Sequence, residues 1–314
     1  MSARALGLLL GYAADRVWAD PVRHHPVAWF GSVASRLERR VWRDDRLAGT
    51  AYAAVLVGGV VLPAAGVERR AGPATRVVTT AAATWLVLGG TSLDREAAAV
   101  QARLAVDDLP GARTQVGRIV GRSTADLDAA GVARAAVESV AENTSDAVVG
   151  ALVWGAVAGL PGLLGFRAAN TLDAMVGHRT ARHDRFGWAG ARLDDVLGLP
   201  GARLTAALAA AAGPDHAGAL RAWRRDAGAH PSPNAGPVEA AFAGALGVTL
   251  GGPTTYGDRT EDRPRLGDGA APTAHDVTRA RRLAARVGLG AAVVSALIAV
   301  RAPTPPLPPR RPRR

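Results

Sequence analysis

From Ala147 to Phe166 the chain runs twenty residues, AVVGALVWGAVAGLPGLLGF, without a charged side chain, and Pro161 and Gly162 interrupt the run after about fourteen of them. The full run is nominally long enough to cross a bilayer, which takes about 20 apolar residues; the uninterrupted part is not. Proline removes a helical hydrogen bond and clashes with the preceding turn. The expectation is therefore a broken or re-entrant pair of helices. That geometry matters because polar clusters flank the run: a straight span would put Glu142 and Asn170 on opposite faces of a membrane, whereas a break can return both to one face.

Composition agrees with a helical membrane chain. Hydrophobic residues make up 48% of the 314 and aromatics only 4%, so the apolar side chains are small throughout. The formal charge is +11, and every one of the 38 basic residues is arginine. Without lysine, a Walker lysine, a Schiff-base lysine and a lysine base are excluded. Without cysteine, so are disulfides, thiolate catalysis and zinc–thiolate sites. The arginines lie mostly between apolar segments with few aromatics among them, which argues against nucleic-acid binding.

Along the chain, Ala5 to Ala14 is apolar but too short to span, and is expected as a retained membrane-contacting or buried helix rather than a signal peptide. Asp15 to Gly31 is a Pro-punctuated loop carrying Asp15, Asp20, His24 and His25, either a salt-bridged loop or a ligand site. Thr50–Val67 and Ala74–Leu93 read as a helical hairpin, rich in Gly, Ala and Thr for close helix contact in lipid, the alternative being a buried hairpin in a soluble bundle. Residues 94–133 read as a soluble helical connection with charges of alternating sign, and about 214–284 as a polar loop block. Val287 to Val300 fits a terminal membrane helix, and 303–314 a disordered Arg/Pro-rich tail. The expected architecture is all-α: one multi-pass helical membrane domain over 1–302, with broken or re-entrant helices and polar helical loops.

The candidate site residues flank the central run. Arg134, Glu138, Glu142 and Asp146 recur every four residues, about 40° apart on a helix, and form one polar stripe. Such a stripe is either an ion-paired surface or, because it leads into an apolar segment where carboxylates are costly unless paired or metal-bound, a functional one. Beyond the break, Asn170 and Asp173 sit three apart on one helical face, and Asp194 and Asp195 follow beside Arg192 and Arg203. Carboxylates and amides are hard oxygen ligands suited to Mg²⁺ carrying phosphate, and arginines suit the phosphate oxygens directly. The stretch HPSPNAG, with His230, Ser232 and Asn234, is too rich in Pro, Ser, Asn and Gly for a helix. It is either an ordinary turn capped by Asn234 or a rigid backbone presenting N–H groups to a phosphate, ahead of a helix starting near Pro237.

The strings RAAVESVAENTSDAVV, NTLDAMVGHR, FGWAGARLDDV and ARLTA, with DPVRHHPVAWFG and HPSPNAGPVEAAFAGALGVTLGGPTTYG, resemble the cobalamin biosynthesis CobD/CbiB family, the adenosylcobinamide-phosphate synthases. The matched blocks run from Gly11 to Gly31, Arg134 to Arg203 and His230 to Gly257, in order. Pro237, Thr254 and Thr255 depart from the family pattern and touch local loop shape. The resemblance implies a multi-pass enzyme of the cell membrane that joins aminopropanol, or its O-phosphate, to a carboxylate of adenosylcobyric acid. The reaction would be an ATP-dependent amide ligation with Mg²⁺, proceeding through an acyl phosphate. On that basis Glu138, Glu142, Asn143, Asp194 and Asp195 are assigned to catalysis, and Glu142, Asp146, Asn170 and Asp173 to metal. Arg182, Arg192, Arg203, His25, His230, Ser232 and Asn234 are assigned to substrate and phosphate. The expected partners are the two substrates, the lipid bilayer, and either a second copy or other corrin-pathway membrane enzymes. The rival readings are a prenyltransferase-like Mg–diphosphate enzyme and a non-enzymatic membrane assembly or sensor protein.

Overall fold

The computed structural model describes residues 2–21, 25–178, 180–256 and 259–301, with the backbone alone at 255–256 and 259–260. His24 and the tail over 303–314 lie outside the described residues. The fold is all-α with one two-stranded hairpin. Its helices are α1 (Ala3–Trp18), α2 (Pro26–Val41), α3 (Arg46–Arg70), α4 (Pro73–Val87), α5 (Gly90–Leu104), α6 (Leu109–Val116) and α7 (Ala129–Thr144), followed by α8 (Gly150–Leu172), α9 (Trp188–Ala212), α10 (His216–Asp226), α11 (Ala235–Leu246) and α12 (Ala274–Arg301). The hairpin, β1 (Leu250–Tyr256) and β2 (Arg259–Leu266), lies between α11 and α12. Local chemistry explains many helix starts: Asp45, Asp108, Asp128 and Asp215 each accept the N–H three residues on, the preferred N-cap contact. Single π-helical turns, Ser145–Val149 and Asp173–Gly177, flank α8 and carry Asp146 and Asp173. Such turns cluster at functional sites.

Among the described residues, three helical stretches are long and apolar enough to cross a membrane: Arg46–Arg70, Ala129–Gly177 and Ala274–Arg301. The expected hairpin is corrected in its second arm. α4 ends at Val87 before the pair Gly89–Gly90, so its 15 residues span only about 22 Å. The two arms meet at their turn, where Arg76 Nη2 donates to the Glu68 and Ala71 carbonyls; beyond it α3 packs on α8, and α4 on α1 and α8.

The chain divides into two compact units, each assembled from separated segments, where one domain was expected. The first comprises the described residues within 1–88, 150–197 and 292–301. There α1 lies against α4 so closely that a Cβ on Gly7 or Gly11 would fall 2.6 or 2.4 Å from the Cβ of Thr80 or Thr84. This is the small-residue contact that lets helix backbones approach in lipid. A second cluster gathers Tyr52, Leu56, Leu172, Val176 and Phe186, with the Tyr52 and Phe186 rings 5.0 Å apart.

The second unit comprises residues 89–149 and 198–291. α5 packs on α6 and α7, α11 on α7 and α10, and Arg281 forks onto Asp94 at 2.9 and 3.0 Å. Two expectations change here. The supposed soluble connection buries Ala97, Val100, Ala112, Val116 and Val132, so its charges mark one face of packed helices. The supposed loop block folds into α10, α11 and the hairpin, because AGPVEAAFAGAL is apolar but for Glu239 and needs burial, which it obtains at every position from Gly236 to Leu246.

Candidate functional site

The break in the apolar run is completed by two distant residues of the first unit, Arg4 and Glu68. α8 loses helical geometry at Gly159, whose φ of 66° favours glycine, and Pro161 has no N–H to continue the ladder. The freed backbone groups find a buried ion pair. Glu68 Oε2 accepts the Leu160 N–H at 2.7 Å, its Oε1 accepts from Arg4 Nη2 at 2.8 Å, and Arg4 Nη1 donates to the Ala156 carbonyl at 3.2 Å. A carboxylate thus caps the start of one half-helix and a guanidinium the end of the other, the polarity each helix dipole favours. A side chain on Gly159 would meet the Glu68 carboxylate at 2.2 Å. The broken helix expected from Pro161 is present; Arg4 and Glu68 were not anticipated.

Past the break, still in the first unit, the acid–amide residues join one polar line. Asn170 Nδ2 donates to Asp194 Oδ1 at 3.3 Å, and its Oδ1 lies 3.5 Å from Arg167 Nη1. Burial, and then the neighbouring Asp173 carboxylate, push Asp194 up to about 7 against the pull of the Asn170 hydrogen bond; Asp195 adds to the rise. Asp195 also accepts from Arg192 at 3.2 Å. Arg167 and Thr171 help line an open pocket of about 570 Å³, together with Asp20, His25, Ser32 and Met175. His25 is held at the rim: its Nδ1 accepts the Val27 N–H, capping α2, and its Nε2 lies 3.3 Å from Asp20. Arg182 stands apart from this line, donating to Glu38 at 3.0 Å with its guanidinium over Trp42.

In the second unit the acidic stripe of α7 turns inward. Glu138 is buried, accepting from Arg122 at 2.5 Å and from the Gly251 N–H at 2.7 Å, while Arg134 donates to the Gly251 and Pro253 carbonyls. These contacts fasten the start of β1 to α7. Asn143 turns its amide back to the Ser139 carbonyl at 2.9 Å. One turn on from Glu138, Glu142 meets His230 and Glu239, all three presenting ligand atoms within 4.8 Å of one another. Glu239 lies in the first turns of α11; burial, Glu142 and Glu138 drive its carboxyl well above the usual range, and it shares a hydrogen bond with Glu142. Burial lowers His230. Asp146 lies outside this trio.

The HPSPNAG stretch corrects the phosphate-cradle expectation. Its backbone donors are largely taken up within the loop: the Ser232 nitrogen lies 3.0 Å from His230 Nδ1, and Ser232 Oγ accepts the N–H groups of Asn234 and Ala235. Arg203 closes the loop from outside, donating to the Pro233 carbonyl at 2.6 Å and to Asn234 Oδ1 at 3.3 Å. The loop holds His230 in place, and α11 starts at Ala235 rather than near Pro237.

The proposed Mg²⁺ set divides between the units: Glu142 and Asp146 belong to the second, Asn170 and Asp173 to the first. Sequence reading passed over Glu239, Arg4 and Glu68. The signal for Glu239 was present, a lone acid inside an otherwise apolar helix, which is costly unless it has work to do.

Comparison with known proteins places these features in a family. The family model described as CobD/Cbib protein matches residues 8–284. The cobalamin biosynthesis protein CobD of Mycobacterium tuberculosis H37Rv is 50% identical over 302 residues, covering 95% of this chain and 96% of the relative. The protein of that name from Rhodobacter capsulatus is 46% identical over 283 residues, covering 88% and 90%. The one from Rhizobium meliloti is 40% identical over 292 residues, covering 85% and 88%. No solved structure gives a significant match. A match that runs across nearly the whole chain makes this protein a member of the CobD/CbiB family.

Proposed function

We propose that this protein works in cobalamin biosynthesis at the cell membrane, where it joins aminopropanol or its O-phosphate to a carboxylate of adenosylcobyric acid at the expense of ATP. The observation that carries the reading is the polar line of the first unit, Arg167–Asn170–Asp194 with Asp173 beside it, leading from a pocket of ligand size. The corrin carboxylate attacks the γ-phosphorus of ATP, the bond to the β-phosphate oxygen breaks and ADP leaves. The amine nitrogen then attacks the acyl carbon, gives up a proton, and the C–O bond to inorganic phosphate breaks.

Asp194 suits the proton transfer, since a carboxyl near 7 is both sufficiently ionised and sufficiently basic at neutral pH. Arg167, on the pocket wall, suits a phosphate oxygen. Asp173 and Asp195 offer carboxylate oxygens of the kind Mg²⁺ takes, and a nucleotide-borne Mg²⁺ would need only one or two protein carboxylates. When bound it would supply charge neutralisation on the transferring phosphoryl group. Glu138, Asn143 and Arg203, engaged in holding loops and helix turns, serve as supports in this reading.

The test is to incubate membranes containing the protein with adenosylcobyric acid, MgATP and either aminopropanol or its phosphate, and to follow the amide product and ADP by mass spectrometry. ATP-dependent amide with one of the amines supports the assignment. Absence of product with both overturns it.

A further inference from the structure

We infer that Glu142, His230 and Glu239 form a site for a first-row divalent transition metal, in the class of Zn²⁺ or Mn²⁺, within the second unit. This goes beyond the ligase reading, shares no residue with the polar line of the first unit, and stands or falls separately from it.

Three observations converge. His230 and Glu239 side chains are each only 3% exposed, yet His230 Nε2 and Glu239 Oε1 have no hydrogen-bond partner. Buried polar atoms are almost always satisfied, so two orphans facing one another ask for something between them. Their separation is 3.7 Å, long for a hydrogen bond. It is close to the roughly 3.4 Å that separates two ligand atoms on a tetrahedral metal with bonds of about 2.1 Å. Glu142, half-buried, brings a third ligand atom within the same 4.8 Å, leaving the site a route to solvent.

The histidine is also prepared for ligation. Its Nδ1 lies 3.0 Å from the Ser232 nitrogen and 3.3 Å from the Ser232 oxygen. With Nδ1 unprotonated it accepts the Ser232 N–H; with Nδ1 protonated it donates to the Ser232 carbonyl, which frees the Nε2 lone pair. That second arrangement is the backbone carbonyl partner that metal-bound histidines characteristically have. Ser232, Asn234 and Arg203 lock the loop that presents the ring.

Donor chemistry selects the metal. Imidazole nitrogen favours Zn²⁺, Mn²⁺ or Fe²⁺ over Mg²⁺, which prefers an all-oxygen octahedron. A bound dication also resolves the electrostatics, because two carboxylates in contact inside the protein repel unless they share a proton or a cation.

The experiment uses full-length protein in detergent. Metal content is read by inductively coupled plasma mass spectrometry on protein purified without chelator. After chelator treatment, Zn²⁺ and Mg²⁺ are titrated calorimetrically. The expected result is roughly one equivalent of a first-row metal per chain, with Zn²⁺ binding weakened at least about tenfold in Glu239→Gln and His230→Gln. Glu142→Gln, at a half-buried position that tolerates exchange, gives the same loss should the buried variants fail to fold. Asp268→Asn, an exposed partner of Arg225, keeps wild-type binding. Purified protein carrying no first-row metal and taking up no Zn²⁺ overturns the proposal and leaves Glu142 and Glu239 as a proton-sharing pair. Zn²⁺ affinity unchanged in the folded Glu142→Gln variant overturns it as well.

Discussion

Removing the Glu68 carboxylate tests the account of the helix break quantitatively. Arg4 and Glu68 lie 2.8 Å apart with side chains 5% and 7% exposed, so Glu68→Ala leaves a buried guanidinium without its counter-charge. Breaking a buried pair on one side costs about 3–5 kcal/mol. The Leu160 N–H, which the non-helical Gly159 keeps out of the normal ladder, loses its acceptor as well, and an orphaned buried donor costs about 1–3 kcal/mol. The two terms overlap, and a total on the order of 5 kcal/mol is expected. Glu68→Gln keeps an oxygen for Leu160 and removes only the charge, so it costs less, about 3 kcal/mol. Arg4→Gln is comparable. The double variant Arg4→Gln/Glu68→Gln buries no charge and comes out less destabilised than the sum of the singles by about 3 kcal/mol. Denaturant titration in micelles measures this, with Trp154 of α8, whose indole N–H donates to the Leu197 carbonyl at 2.7 Å, as a local fluorescence reporter. Strict additivity of the two singles, or a Glu68→Ala variant as stable as the wild type, would show that the pair does not hold the break.

Three further outcomes follow from the same geometry. Gly11→Val puts new atoms against Thr84 and the Ala81 carbonyl and costs about 1–3 kcal/mol in a melting experiment, whereas Gly58→Ala in α3, with open space at its Cβ, is neutral or stabilising by up to about 1 kcal/mol. Glu138→Ala takes the carboxylate from both Arg122 and the Gly251 N–H; hydrogen exchange at β1 amides accelerates while protection in α10 is retained, and Glu138→Gln restores part of the protection. Asp194, raised to about 7, is protonated below that pH and ionised above it, so amide formation falls about tenfold per pH unit as pH drops below 7. In Asp194→Asn the limb vanishes along with about 10²–10⁴-fold of the rate.

What could be read ahead was whatever depends on neighbours in sequence. Pro161 announces a broken helix, because a missing N–H is a local fact. The apolar lengths of α3 and α12 belong to the same kind. What escaped depends on distance along the chain. Nothing local says that Arg4 and Glu68 will stand at the break, 152 and 92 residues from the backbone atoms they satisfy. Nor could composition show that HPSPNAG spends the Asn234 and Ala235 N–H groups on Ser232 Oγ instead of a phosphate. α4 was overestimated because hydropathy averages across Gly89–Gly90, where the helix stops. Glu239 was overlooked because its helix is apolar enough to pass as core, although a lone carboxylate in such a helix is the better signal.

The interleaving of the two units along the chain sets a timetable for biogenesis. Neither can be cut out as one continuous stretch: the first needs segments near both ends, and Ser2 Oγ donates to the Ala299 carbonyl 297 residues away. At a synthesis rate of about 5–20 residues per second, α1 waits on the order of 15–60 s for that partner. During the wait the Gly7–Gly11 seam can close on α4, whereas Arg4 has Glu68 but not yet the carbonyls of α8. A ribosome stalled after α4 would therefore display a four-helix fragment whose buried charge pair is formed but whose capping duties are unfilled.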